Sequence, residues 1–141
     1  MKKLILFAAT LFLFSSSEVF GQCNSENLSS QCIPKLAAGF NFLKSYKIDG
    51  DGGSKEKVEY SYVFLKGTQY MINICAPVQP TDGIIVSLFD SNRNKVASSK
   101  IDNQFISAIA YPCNATGVYY IQYTFEKPSS YCGGSALGFK R

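Results

Sequence analysis

Val118-Tyr-Tyr-Ile-Gln-Tyr-Thr-Phe125 is the stretch on which the fold turns. Aromatic and β-branched residues fill it, and such side chains favour a pleated, half-buried strand over a helix. Gly117 precedes it, and Lys127-Pro128-Ser-Ser130 closes it off. Successive strand residues point to opposite faces. Tyr119, Ile121, Tyr123 and Phe125 therefore read as core, and Tyr120, Gln122 and Thr124 as the outward face. A surface tyrosine there could stack on a ligand, which makes Tyr120 and Gln122 the candidate ligand-facing pair. The rival reading is an ordinary cross-strand pair on a half-covered sheet.

The same grammar extends toward both ends. Gln104–Tyr111 ends at Pro112, and Ile84–Asp90 is a near-continuous apolar run. Asp90-Ser-Asn-Arg-Asn94 is a tight turn into the short Lys95–Ser99. In Gln69–Ala76, Tyr70, Ile72 and Ile74 share a face. Phe40–Ile48 alternates with Phe40, Phe42, Lys44, Tyr46 and Ile48 on one side. Lys55–Phe64 sets Val58, Tyr60 and Tyr62 against Lys57, Glu59 and Ser61. The glycine-rich Asp49–Ser54 between those two runs predicts a hairpin. Tyr131–Phe139 is the last strand, weakened by Gly133 and Gly134. About eight short strands at this spacing predict an all-β protein, a single antiparallel β-sandwich over residues 40–141. Residues 22–39 read as an irregular polar arm, and no helical period is visible outside the first 21 residues.

Those first 21 residues read as a signal peptide. Lys2 and Lys3 precede the apolar Leu4–Phe14, and Val19-Phe-Gly21 suits cleavage before Gln22. The apolar run has about half the length of a membrane span, so no anchor is expected after cleavage. Gln22 before Cys23 is too large for a lipid-attachment signal. All five cysteines follow this leader, which predicts a secreted or periplasmic protein stabilised by disulfides.

Composition excludes several chemistries. Residues 1–21 carry Lys2, Lys3 and Glu18, so without them the formal charge falls from +4 to +3. No basic stripe accompanies it, and no nucleic-acid partner is expected. Histidine is absent from the whole chain, which removes Ser-His-Asp and Cys-His devices. A carboxylate pair would have to come from nine acids, Glu26, Asp49, Asp51, Glu56, Glu59, Asp82, Asp90, Asp102 and Glu126, and every aspartate among them sits in or beside a turn, where aspartate usually bonds its own backbone. Asp49-Gly-Asp-Gly52 has part of a calcium-loop pattern, but Gly53 and Tyr60 stand where ligands are needed. No C-x₂-C pair exists for zinc. No cofactor, metal or catalytic residue is therefore expected.

Three stretches carry a family likeness. They are Tyr60-Ser-Tyr-Val-Phe-Leu-Lys-Gly-Thr-Gln-Tyr-Met-Ile-Asn-Ile74, Ile85-Val-Ser-Leu-Phe-Asp-Ser-Asn-Arg-Asn-Lys-Val-Ala-Ser98 and Thr116-Gly-Val-Tyr-Tyr-Ile-Gln-Tyr123. Together residues 60–125 resemble the bacterial pre-peptidase C-terminal domain and related secreted, jelly-roll-like sandwiches. The resemblance implies a secreted accessory or binding domain. The chain differs from that family in its cysteines and in lacking an attached peptidase.

The functional expectation is an exported, non-catalytic binding or structural module with a protein or glycan ligand. One alternative, resting on the resemblance, is an accessory or inhibitor of a secreted peptidase. Another is a secreted hydrolase with a carboxylate site. Strands running alternately up and down put Cys75 and Cys132 at one pole, which predicts a Cys75–Cys132 bridge. Cys113 ends its strand at the other pole, where the strand after Cys32 begins, which predicts Cys32–Cys113. Cys23 is then free or links two molecules as a dimer. A local Cys23–Cys32 bridge, leaving Cys113 over, is the rival.

Overall fold

The computed structural model describes residues 22–141. The leader expected at residues 1–21 lies outside the described residues.

One α-helix and ten strands, with two short 3-10 turns at Ile33–Lys35 and Asp51–Gly53, follow in order. They are α1 (Ser25–Cys32), β1 (Asn41–Asp49), β2 (Lys57–Phe64), β3 (Gln69–Cys75), β4 (Ile84–Phe89) and β5 (Lys95–Ser98). Then come β6 (Lys100–Ile101), β7 (Gln104–Phe105), β8 (Ala108–Pro112), β9 (Gly117–Phe125) and β10 (Cys132–Lys140). Eight of the strands form two antiparallel four-stranded sheets, ordered β1-β10-β3-β8 and β2-β9-β4-β5. That order is the jelly-roll arrangement of two interleaved sheets. The expected single run 104–111 breaks at Ile106 and Ser107. There the chain leaves the small β6–β7 hairpin and crosses to the other sheet.

The core lies between the sheets. On β9, Tyr119, Ile121 and Tyr123 are buried, as the alternation predicts. Phe64 stacks on Tyr70 with ring centroids 3.8 Å apart and on Tyr119 at 4.8 Å. Aromatic pairs add about 1 kcal/mol each beyond the area they bury. The buried Tyr123 hydroxyl donates to Ser135 Oγ at 2.7 Å, which keeps both polar groups satisfied inside the core.

Two expectations about the strands need correction. The runs 40–48 and 55–64 do not form a hairpin, because β1 pairs with β10 and β2 with β9. Both runs bury an inward face in the same core, so they face one another across the sandwich, with Tyr46 and Tyr60 rings 4.6 Å apart. The alternation of β1 also breaks. A bulge between Phe42 and Lys44 inserts Leu43, which packs toward the core while Phe42 is 44% exposed. A bulge adds one unpaired residue and so reverses the facing of everything beyond it.

The arm is not irregular. Asn24 caps α1, its side chain accepting from Asn27 N, and Leu28 and Cys32 lie one turn apart on the buried face. The helix packs across β10 on the outer face of the first sheet. Its two ends are bridged to that sheet, by Cys23–Cys132 and Cys32–Cys75. The predicted Cys75–Cys132 and Cys32–Cys113 pairs are therefore corrected. Both bridges are intramolecular, so Cys23 is not available to link a dimer. Among the described residues Cys113 keeps a free thiol, buried in the core and directed at Ala115 O. Two long-range bridges suit a chain that folds in an oxidising compartment.

Candidate functional site

The outward face of β9 is already engaged with its neighbours. The Arg93 guanidinium lies 3.7 Å over the Tyr120 ring, and its Nη1 reaches Glu59 Oε1 at 2.6 Å. Gln122 Nε2 donates to the same carboxylate oxygen at 3.4 Å. Tyr120 and Gln122 are thus brought together, with Glu59 and Arg93 as partners that the sequence reading did not include. One ring face of Tyr120 is occupied by Arg93.

The five candidate aspartates do not converge. Asp49 Oδ1 accepts from Asp51 N at 2.9 Å, and Asp51 Oδ2 from Ser54 Oγ at 2.8 Å. Asp90 Oδ1 accepts from the backbone of Asn92 and Asn94, both at 2.9 Å. Asp102 occupies the turn between β6 and β7 at φ 49°. Asp82 accepts from the backbone and hydroxyl of both Ser129 and Ser130. Among the described residues no cluster of three metal-ligating side chains occurs.

The Asp82 carboxyl is held below its usual range. Burial acts to raise its pKa, and the hydrogen bonds from Ser129 and Ser130 outweigh it. A depressed folded-state pKa means stability that is present above the ordinary carboxylate value and lost as pH falls through the depressed one. Unfolding midpoints are therefore expected to drop in acid, and Asp82→Asn is expected to flatten that dependence. Denaturant titrations across the acid range, wild type against variant, measure the effect.

What the fold leaves open is a groove. β1 and β2 are the margins of their sheets and lie on the same side of the sandwich. In the middle the gap is shut by the Tyr46–Tyr60 contact, with the Tyr60 hydroxyl donating to Lys47 O. Burial pushes the phenol of Tyr46 up, with Tyr62 and Tyr60 adding to it. Toward the end where β1 and β3 begin and β2 and β10 finish, no aromatic pair, ion pair or side-chain hydrogen bond joins the two margins among the described residues. A cavity of about 570 Å³ opens there. Leu43, Tyr70 and Phe139 wall it on one side, and Tyr62, Val63 and Leu65 on the other. Arg141 and Thr68 supply polar groups. The bulge at Leu43 aims that side chain into the groove.

The lip of the groove is apolar and uncovered. Val63 and Val118 are cross-strand partners, 53% and 40% exposed, and Leu65 is 43% exposed. Single exposed aliphatic residues are ordinary, but a contiguous apolar patch rimmed by polar groups marks an interaction surface. A larger hollow of about 1060 Å³ lies at the opposite pole, beside Asn24, Asn27, Asp49 and Asp51. Its aspartates are the ones satisfied by their own loop, so it offers less to a ligand.

Comparison with known proteins adds little to this geometry. No family model matches the chain, and no curated protein does. Among solved structures the chain is similar to PliG of Aeromonas hydrophila, a periplasmic inhibitor of g-type lysozyme. The TM-score is 0.46 at 15% identity, over 74% of this chain and 89% of that one.

The sequence reading missed this groove. Val63, Leu65 and Val118 sit in or beside strands where an apolar residue attracts no notice. They come together only where the end of β2 pairs with the start of β9.

Proposed function

We propose that this chain is an exported, non-catalytic binding module, and that it holds a protein partner through the groove between β1 and β2. The observation that carries the reading is the apolar lip of Val63, Leu65 and Val118 over a cavity of about 570 Å³. The turn aspartates support it from the other side, since Asp49, Asp51 and Asp90 are engaged within their own loops and Asp82 is held by Ser129 and Ser130, and the five do not converge on one site as hydrolysis by a carboxylate pair would need. A sheet margin also offers main-chain groups to a peptide, which glycans and lipids cannot use in the same way.

The test uses the purified exported protein as bait in the exported fraction of its own cells. A partner identified there is re-made and titrated by calorimetry against wild type, Leu65→Glu and Val118→Glu. The expected result is binding by wild type and a loss of about tenfold or more in each variant, the range of a hot-spot residue. Both positions are exposed, so unfolding midpoints should hold. Equal binding by wild type and variants would overturn the groove assignment. Turnover of a peptide, ester or glycan substrate that an Asp→Asn change abolishes would overturn the non-catalytic reading. The partner's identity also says whether it is a peptidase, as the family resemblance implies.

A further inference from the structure

We infer that the groove is built for an acidic segment of its partner, an extended stretch in which an apolar side chain is flanked by carboxylates. This rests on the groove being the binding site. Its new content is the sign and arrangement of charge.

The chain's positive excess gathers at the groove end. Lys66 follows Leu65 in the turn between β2 and β3, and Arg141 lines the cavity. Lys140 and Lys95 lie at the same pole outside the groove itself, Lys140 with its side chain beside Gly39 and Lys95 on the far margin β5, and they add to the positive field there. Asp90 is engaged by the backbone of Asn92 and Asn94, and Glu59 by Arg93. At the other pole charges are mixed and partly paired, as in Lys100–Glu126 and Lys47–Glu26. Lys66 and Arg141, the cations at the groove, have no such partners among the described residues.

Charge at the rim of an apolar site steers encounter and selects sign, while the desolvated centre supplies most of the affinity. An apolar anchor with carboxylates on either side meets both demands. A concave site suits an inserted side chain better than a membrane, which docks on protruding apolar groups beside basic ones. The unpaired margin of β2 favours a polypeptide laid alongside it.

The experiment pans a displayed library of random short peptides on the purified protein. Recovered peptides are synthesised and titrated by fluorescence anisotropy against wild type, Val118→Glu and the double variant Lys66→Glu/Arg141→Glu. Enrichment of Asp and Glu around a Leu, Ile or aromatic residue is expected. The charge-reversal variant should lose about tenfold at low salt, and raising the salt should narrow that gap. Val118→Glu should weaken binding at every salt concentration. Groove-dependent peptides without acidic enrichment would overturn this inference while leaving the groove as a binding site. Failure to recover any groove-dependent peptide would overturn it too, with the site itself then judged by the partner titration. Groove-dependent binding to phosphatidylglycerol vesicles, or groove-dependent self-association in sedimentation, would each assign the surface to another occupant and overturn it.

Discussion

Cys23→Ser/Cys132→Ser is expected to lose about 4 kcal/mol of unfolding free energy relative to the oxidised wild type. The bridge joins residues 109 apart in sequence. In the chain-entropy relation a closed loop of that order contributes about 4.7 kcal/mol by restricting the unfolded chain. The Cys32–Cys75 bridge, with a separation of 43, remains and already shortens the path between the two ends, which trims the loss. A domain of this size has about 5–15 kcal/mol in total, so the variant should sit close to its folding threshold at growth temperature. Urea unfolding under non-reducing conditions measures the loss. Peptide mapping of the wild type should return Cys23 linked to Cys132 and Cys32 linked to Cys75. Cys113 should be alkylated only after denaturation, because its thiol is buried. A loss under about 1 kcal/mol, far below the chain-entropy figure, would mean that restriction of the unfolded chain is not what this bridge contributes.

The same cysteines show how far the sequence could be read. Alternating strand directions do put the end of β3 and the start of β10 at one pole, where Gly134 lies opposite Cys75. They also put Cys113 at the other pole, since β8 ends at Pro112 opposite Gln69. What parity could not give was the path of the arm before β1. Residues 25–32 contain little apolar surface, so the helical period is carried by Leu28 and Cys32 alone. With the arm taken as irregular, Cys32 stayed near the start of β1. In the structure α1 lies back across the first sheet and carries Cys32 to Cys75 and Cys23 to Cys132. The strands were legible because each alternates against one core, as Val58, Tyr60 and Tyr62 do in β2. Their pairing was less so, since a glycine-rich turn such as Asp49–Ser54 serves a hairpin and a crossing between sheets alike. The groove was not legible at all. Its lip depends on how far each sheet margin runs before its partner ends, and no local pattern records that.

Gly134→Val is expected to destabilise the protein by about 3 kcal/mol, at the upper end of what overpacking a tight contact costs. Read from sequence, Gly133 and Gly134 weaken the last strand. In the structure β10 is an interior strand of its sheet, between β1 and β3; Gly134 is what lets α1 approach, while Gly133 faces Ile84 in the core. A Cβ at Gly134 would lie 2.0 Å from Ser29 N, 2.4 Å from Ser29 Cα and 2.5 Å from Leu28 C. These are backbone atoms of the helix and cannot turn aside as a side chain could. Nor can the helix lift, because a bridge holds each of its ends and Asn73 ties it further. Asn73 Nδ2 donates to Cys32 O at 2.8 Å while its Oδ1 accepts from Ala136 N at 2.9 Å, both buried. The strain must then fall on β10 itself, between its two neighbours. Gly52 is the contrast. It needs its left-handed φ of 62° but has no atom within 4 Å of where a Cβ would stand, so Gly52→Ala should cost only about 1 kcal/mol. Adding Gly134→Val to Cys23→Ser/Cys132→Ser separates the two causes. With one end of α1 released, the helix can tilt away, and the combined loss should fall short of the sum of the separate losses. Strict additivity in urea unfolding would show that the clash is relieved within β10 rather than by the helix, and that the bridges do not hold α1 against Gly134.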